Sequence, residues 1–322
     1  MRVMPLVLVA AVILSTAVSV HAQDKEPKRT LGGHNYVPMD LLGDPFVGTY
    51  VRNATGGGKA IGLKVPIPDL EGGILGYAES DIGFITIGLE YQQNITNWLA
   101  FRLGGSGGAR LGTSIQALLT EGATATFGYN FGLSVQAVRT ERLAIGVSAD
   151  MVPNKIYGIS PLDFARSVIE NGLDSASALL KKADGRRLFI GVRPAYTLTP
   201  WLGLQGQFEI GPNRARQKGD SGQVESEETK TQTTFGLGAS VNLVGASQTP
   251  IGFNLAFQHK SGIIGSGDIS GGADSWNLGI WYTGRRAFIV GLDIIASSIG
   301  QVEVPDDINL VGARLTLRYD FK

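Results

Sequence analysis

Segment after segment of this chain sets an apolar side chain at every second position and a small or polar one between. Ile82 to Gln92 carries Ile85, Ile87, Leu89 and Tyr91 on one face, with Thr86, Gly88, Glu90 and Gln92 on the other. Residues 122–137 do the same, with Phe127, Tyr129, Phe131, Leu133 and Val135 opposed to Thr126, Gly128, Asn130, Gly132, Ser134 and Gln136. Period-two alternation belongs to a strand with one face in apolar surroundings. The connections between segments alternate short and long in turn. From a weak first segment at Lys59 to Val65, twelve strands can be counted to the end of the chain.

Alternation alone does not say which face is inside, since soluble sandwiches and lipocalin-like barrels share it. Three features favour apolar faces that look outward at lipid. The other face is built of Gly, Ser, Thr, Asn and Gln, whereas a wet sheet face carries many Lys and Glu. Aromatics gather beside the short turns: Tyr91 with Trp98, Tyr196 with Trp201, Tyr282 with Phe288. That is the place of an interfacial girdle. The last strand ends on Leu317, Tyr319 and Phe321, and an aromatic end resembles the recognition signal of outer-membrane barrels. Charged residues make up only 17% of the chain and glycine is abundant, as a lipid-covered exterior allows. The expected fold is all-β: a transmembrane antiparallel up-and-down β-barrel of about 12 strands in the bacterial outer membrane.

The ends fit that address. Arg2, the apolar run Leu6 to Val18 and the small residues before Gln23 read as an export signal over residues 1–22. Residues 23–56 are mixed and are expected to form a periplasmic tail or a plug, leaving 57–322 for the barrel. There is no cysteine, which excludes disulfides and thiol catalysis. The 28 basic and 28 acidic residues become 27 against 28 without Arg2, so no nucleic-acid partner is implied. No metal or organic cofactor is implied. The expected partners are outer-membrane lipids and lipopolysaccharide, the barrel-assembly machinery during biogenesis, and a small-molecule solute of unspecified kind.

Two outer connections are expected to hold short helices. Thr113 to Thr120 spans two turns. In Val152 to Gly185, Ser160-Pro161 starts a helical pattern that carries Leu162, Ala165, Val168, Ile169, Leu173, Ala176, Leu179 and Leu180, with Lys181 and Lys182 at its end. Helical outer loops over a barrel with an N-terminal plug resemble the fatty-acid and aromatic-hydrocarbon transporters of outer membranes. The resemblance implies passive passage of small molecules, hydrophobic ones included. Strand parity points Glu90, Gln92, Arg102, Gln136, Asp150, Arg193, Gln205, Gln207, Glu209, Asp293, Arg314 and Arg318 into the lumen. There they can set the selectivity of a pore or pair across it and seal it. A sealed structural or adhesion barrel is thus a further reading.

One motif suggests chemistry. His259-Lys260-Ser261, followed by Ser275-Trp276-Asn277, is similar to the His-x-Ser … Ser-Trp-Asn pattern of outer-membrane phospholipase A. The resemblance implies His259 as base, Ser261 as nucleophile and Asn277 as orienter of the imidazole. Parity opposes it: His259 and Ser261 share the register of Phe257, whereas Asn277 faces away from Trp276 and Leu278.

Overall fold

In a computed structural model of the protein, residues 29–68, 74–112, 123–159, 180–218, 223–264, 269–285, 287–301 and 307–321 are described. A two-stranded hairpin, β1 (Thr30–Leu31) and β2 (His34–Asn35), precedes twelve long strands. These are β3 (Thr49–Pro68), β4 (Ile74–Asn94), β5 (Leu99–Gly112), β6 (Ala123–Arg139), β7 (Leu143–Ile159) and β8 (Leu180–Thr199). They continue through β9 (Leu202–Lys218), β10 (Val224–Asn242), β11 (Ile251–Ile264), β12 (Ile269–Tyr282), β13 (Phe288–Gln301) and β14 (Ile308–Phe321). Each pairs antiparallel with its sequence neighbours, and β14 closes on β3 with Tyr319 opposite Val51 and Leu315 opposite Thr55. Closure leaves no unpaired edge to meet hydrocarbon, which is why a sheet can cross a membrane at all.

The apolar faces look outward. Leu89, Phe127, Leu237 and Leu315 are 52%, 50%, 54% and 47% exposed on the bare barrel. The inward neighbours Ala100, Ser148, Asn254, Asp293 and Thr316 are buried. No helix among the described residues is long and apolar enough to cross a membrane, so the crossing is made by strands. An apolar exterior on a closed twelve-stranded ring is the construction of a bacterial outer-membrane barrel. The girdle positions Tyr91, Trp98, Tyr196, Trp201, Tyr282 and Phe321 are exposed at strand ends beside the short turns and the C-terminus, with Phe288 and Tyr319 partly covered.

The strands run longer than the sequence pattern indicates. The first begins at Thr49, ten residues before Lys59 and within the stretch assigned to the N-terminal segment. Its outward positions Asn53, Thr55, Gly57 and Lys59 are not apolar, so no alternation marks it. Val152–Ile159 and Leu180–Gly185, expected in a helical loop, are strand; Lys181 pairs with Gly158 and Lys182 with Tyr157. The helical expectation for 113–120 and for 160–179 lies outside the described residues. The helix that is described, Val244–Ser247, is a single turn in the short connection between β10 and β11.

Candidate functional site

The lumen is filled from its short-turn end by residues 29–48. The hairpin of β1 and β2 turns on Gly32 and Gly33, both with positive φ (55° and 78°), as a two-residue turn of this hand requires. The chain then climbs to a tip at Asp40–Gly43 and descends to Thr49. Tyr36, Val37, Met39, Leu42, Phe46 and Val47 are all buried on the way. The barrel wall makes room for them with small residues. Tyr36 and Phe46 pack with Ala144 and Ala195, and Met39 and Leu42 with Ala256. Any side chain at Gly203, Gly236 or Gly238 would collide with Tyr36, Leu42 or Met39.

Polar groups fix the plug in register. His34 Nε2 lies 3.1 Å from Ser240 Oγ, and Tyr36 Oη lies 3.0 Å from Thr197 Oγ1. Asn254 Nδ2 donates to Pro38 O at 2.7 Å, and Gln92 Nε2 donates to Phe46 O at 3.1 Å and Gly48 O at 3.0 Å. Gly43 N donates to Gln207 Oε1 at 2.6 Å. Ion pairs add to these: Arg29 with Asp320 at 2.9 Å, Arg314 with Asp40 at 3.4 Å, and Arg318 with Asp44. Burial holds the His34 imidazole at about 4, well below the usual histidine range, so it sits in the fold as the neutral ring.

Above the plug's tip, charged side chains pair across the lumen. Asp150 accepts from Arg102 and, at 3.1 Å, from Arg193 Nη2; the same Nη2 donates to Glu209 Oε1 at 2.6 Å, and Arg193 Nε does so at 3.2 Å. Arg52 pairs with Glu90 at 3.5 Å. Asp293 accepts from Asn277 at 2.9 Å and from Asn254 at 3.3 Å. Gln205 is buried in the wall, and Gln136 turns to the backbone carbonyls of Val138 and Ile145. A chamber of about 220 Å³ remains over Asp40–Gly43, and Phe189, Gly211 and Pro212 form part of its wall.

The same three residues form part of a second depression on the lipid-facing side. This groove, about 750 Å³, is lined by outward side chains of β5 to β9, among them Phe131, Leu133, Met151, Leu188, Ile190 and Ile210. Groove and chamber therefore share a stretch of wall. There the ladder between β8 and β9 lapses. Register pairs run through Arg187↔Asn213 and resume at Ile190↔Ile210, so Leu188 and Phe189 face Pro212 and Gly211 unpaired. Pro212 has no N–H to give, and the backbone of Leu188 and Phe189 lies so close on Gly211 that no side chain fits there. A second lapse, between Val192↔Phe208 and Ala195↔Gln205, contains Pro194.

The hydrolase constellation is not brought together. His259 is on the outer face and exposed, with Nδ1 2.8 Å from Asp274 Oδ1. Ser261 bonds Thr233, beside a bulge at Gly262 (φ 70°). Asn277 is buried in the lumen on Asp293 and is paired with Ala256, three positions from His259 and on the other face of the sheet. The bulge lies beyond His259, too late to rotate it inward.

Several residues that shape this site escape a reading of alternation. Asp40, Asp44 and the Gly32-Gly33 turn lie outside any strand pattern. Arg187 and Lys260 line the chamber. Their inward parity follows from Leu188 and His259 facing outward, so that signal was present in the sequence.

No protein-family model matches the sequence, and no curated protein sequence matches it. Solved structures do resemble the fold. The translocator domain of the autotransporter NalP from Neisseria meningitidis is 11% identical, over 88% of this chain and 91% of that one, with a TM-score of 0.50. The transport unit of the autotransporter AIDA-I from Escherichia coli is 12% identical, over 85% and 90%, also with a TM-score of 0.50. A Pseudomonas aeruginosa FadL homologue is 12% identical, over 86% and 92%, with a TM-score of 0.47. What this chain shares with the two translocators is the fold of an outer-membrane barrel.

Proposed function

We propose that this barrel passes small hydrophobic molecules passively from outside the cell into the outer membrane, leaving through its wall rather than its lower mouth. The observation that carries the reading is the thin stretch of wall at Phe189, Gly211 and Pro212, with a polar chamber on one side and an apolar groove on the other. The plug bars the axial route with a buried apolar cluster. A hydrophobic solute in the chamber gains by leaving sideways into hydrocarbon, at ~25 cal/mol for each Å² of apolar surface removed from water. The lapse in the ladder means that two strands can part there with few hydrogen bonds to break.

A staple beside the lapse tests this. Ile190 and Ile210 are register partners, and cross-strand partners lie within the Cα separation a disulfide spans. The chain has no cysteine to confuse the result. Cells displaying the protein should take up the hydrophobic dye 1-N-phenylnaphthylamine faster than cells without it. The I190C/I210C variant should lose that gain when oxidised and regain it with dithiothreitol. Equal uptake with and without the protein, or uptake indifferent to the staple, would overturn lateral passage.

A further inference from the structure

The chamber above the plug holds more positive charge than its carboxylates answer. Five of its lining side chains are cationic and three are carboxylates, and Asp150 behind Arg102 and Arg193 supplies one more negative charge. Two of the cations, Arg187 and Lys260, make no hydrogen bond or ion pair with any described residue, although neither is fully exposed. Two buried nitrogens of the paired arginines, Arg193 Nη1 and Arg102 Nε, also have no partner. Those side chains are only 4% and 5% exposed. A buried guanidinium N–H without an acceptor costs ~1–3 kcal/mol or more. Both nitrogens are enclosed in the wall, so the donors the chamber itself offers a ligand are those of Arg187 and Lys260.

We propose that the chamber is a binding site for a small organic monocarboxylate. Its oxygens are held by Arg187 and Lys260, and its apolar body lies against Phe189 and the plug's Leu41. The charge argues for a single negative group, because Glu209 already offsets part of the cation cluster and a dianion would meet it. The wall argues for an apolar body, since Phe189 and Leu41 line the same cavity as the cations. A guanidinium meets a carboxylate in a bidentate fork while an ammonium acts as a point charge, so the two unpaired cations can share one ligand. The ligand is held as the anion and only its protonated, neutral form can follow the lateral route, so the proposal rests on that reading only for the route; binding itself is measured without transport.

The test uses the full chain in a neutral detergent at low ionic strength, with isothermal titration of benzoate, benzyl alcohol and inorganic phosphate. Benzoate should bind saturably, and R187Q/K260Q should weaken it at least tenfold. The single variants K260Q and R187K, the latter keeping its charge, should give intermediate losses. Heat-modified gel mobility verifies that each variant is folded, and the single variants answer the question if the double one is not. Benzyl alcohol, with the same ring and no charge, should bind at least tenfold more weakly. Equal affinity for benzoate and benzyl alcohol, affinity unchanged in the folded variants, or tight phosphate binding without benzoate binding would each overturn the proposal. Benzoate binding alongside a failed dye-uptake experiment would leave this site standing and remove the lateral route.

Discussion

Asp150 is the residue on which the lumen's electrostatics turn. Its carboxylate is fully buried and lies between two guanidiniums, those of Arg102 and Arg193. In a water-poor interior two such cations repel strongly unless a negative charge stands between them. The substitution D150N keeps the size and removes the charge, leaving both arginines with Glu209 and Glu90 as their remaining counter-charges. Breaking one partner of a buried network costs ~3–5 kcal/mol, far more than the network is worth against an apolar replacement. The expected outcome is a barrel that unfolds at clearly lower denaturant, read as the midpoint of the heat-modifiable band in a guanidinium series. An unchanged midpoint would mean that water, not Asp150, screens the pair. Gly132 belongs to the same arrangement, because a methyl group there would collide with the Asp150 carboxylate.

The plug is held as an element, and His34 makes its hold depend on pH. Buried beside Ser240 and Tyr36, the ring is neutral in the fold with its pKa lowered to about 4, whereas in an undocked plug it titrates near ~6.5. The undocked state therefore binds more protons between these values, and docking weakens as pH falls from ~6.5 towards 4, by at most about 3 kcal/mol. Amide hydrogen exchange over residues 30–40, corrected for intrinsic rate, should accelerate from pH 7 to pH 4.5, and H34Q should flatten that dependence. The plug also marks where sequence reasoning stops. Eleven strands, β4 to β14, were legible because lipid on one side and a crowded lumen on the other force an alternation visible from Ile85 to Phe321, whereas β3, with Asn53, Thr55, Gly57 and Lys59 facing outward, showed none over that half. The glycines at 146, 236 and 238 announced space in the lumen but not its occupant. That became clear only when Pro45, Leu42 and Met39 were found against them. The lipase-like motif failed for a related reason: a spacing of residue types carries no face, whereas strand parity does, and parity sets His259 and Asn277 on opposite sides of the wall.

At the scale of the whole molecule, a closed ring of twelve strands poses a question that its side chains answer: whether the tube conducts. Its wall supplies arginines and carboxylates enough for an ion path, but Arg102, Arg193, Arg314 and Arg318 are spent on Asp150, Glu209, Asp40 and Asp44. The lower half is filled by Tyr36, Met39, Leu42 and Phe46 against alanine and glycine. An ion moving along the axis would have to shed water among these apolar groups, a cost of several kcal/mol even after relaxation. The intact protein in a planar bilayer should therefore carry no sustained ionic current. Removing residues 23–47 takes away the apolar filling and both plug carboxylates at once, and leaves β3 whole from Thr49. That variant, once its gel mobility shows a folded barrel, should give steady openings. The current should favour anions, because losing Asp40 and Asp44 against Arg29 leaves Arg314 without its carboxylate and Arg318 with Asp320 alone. Equal currents from the intact and shortened chains would show that the plug does not close the barrel, and the sideways route would lose its reason to exist.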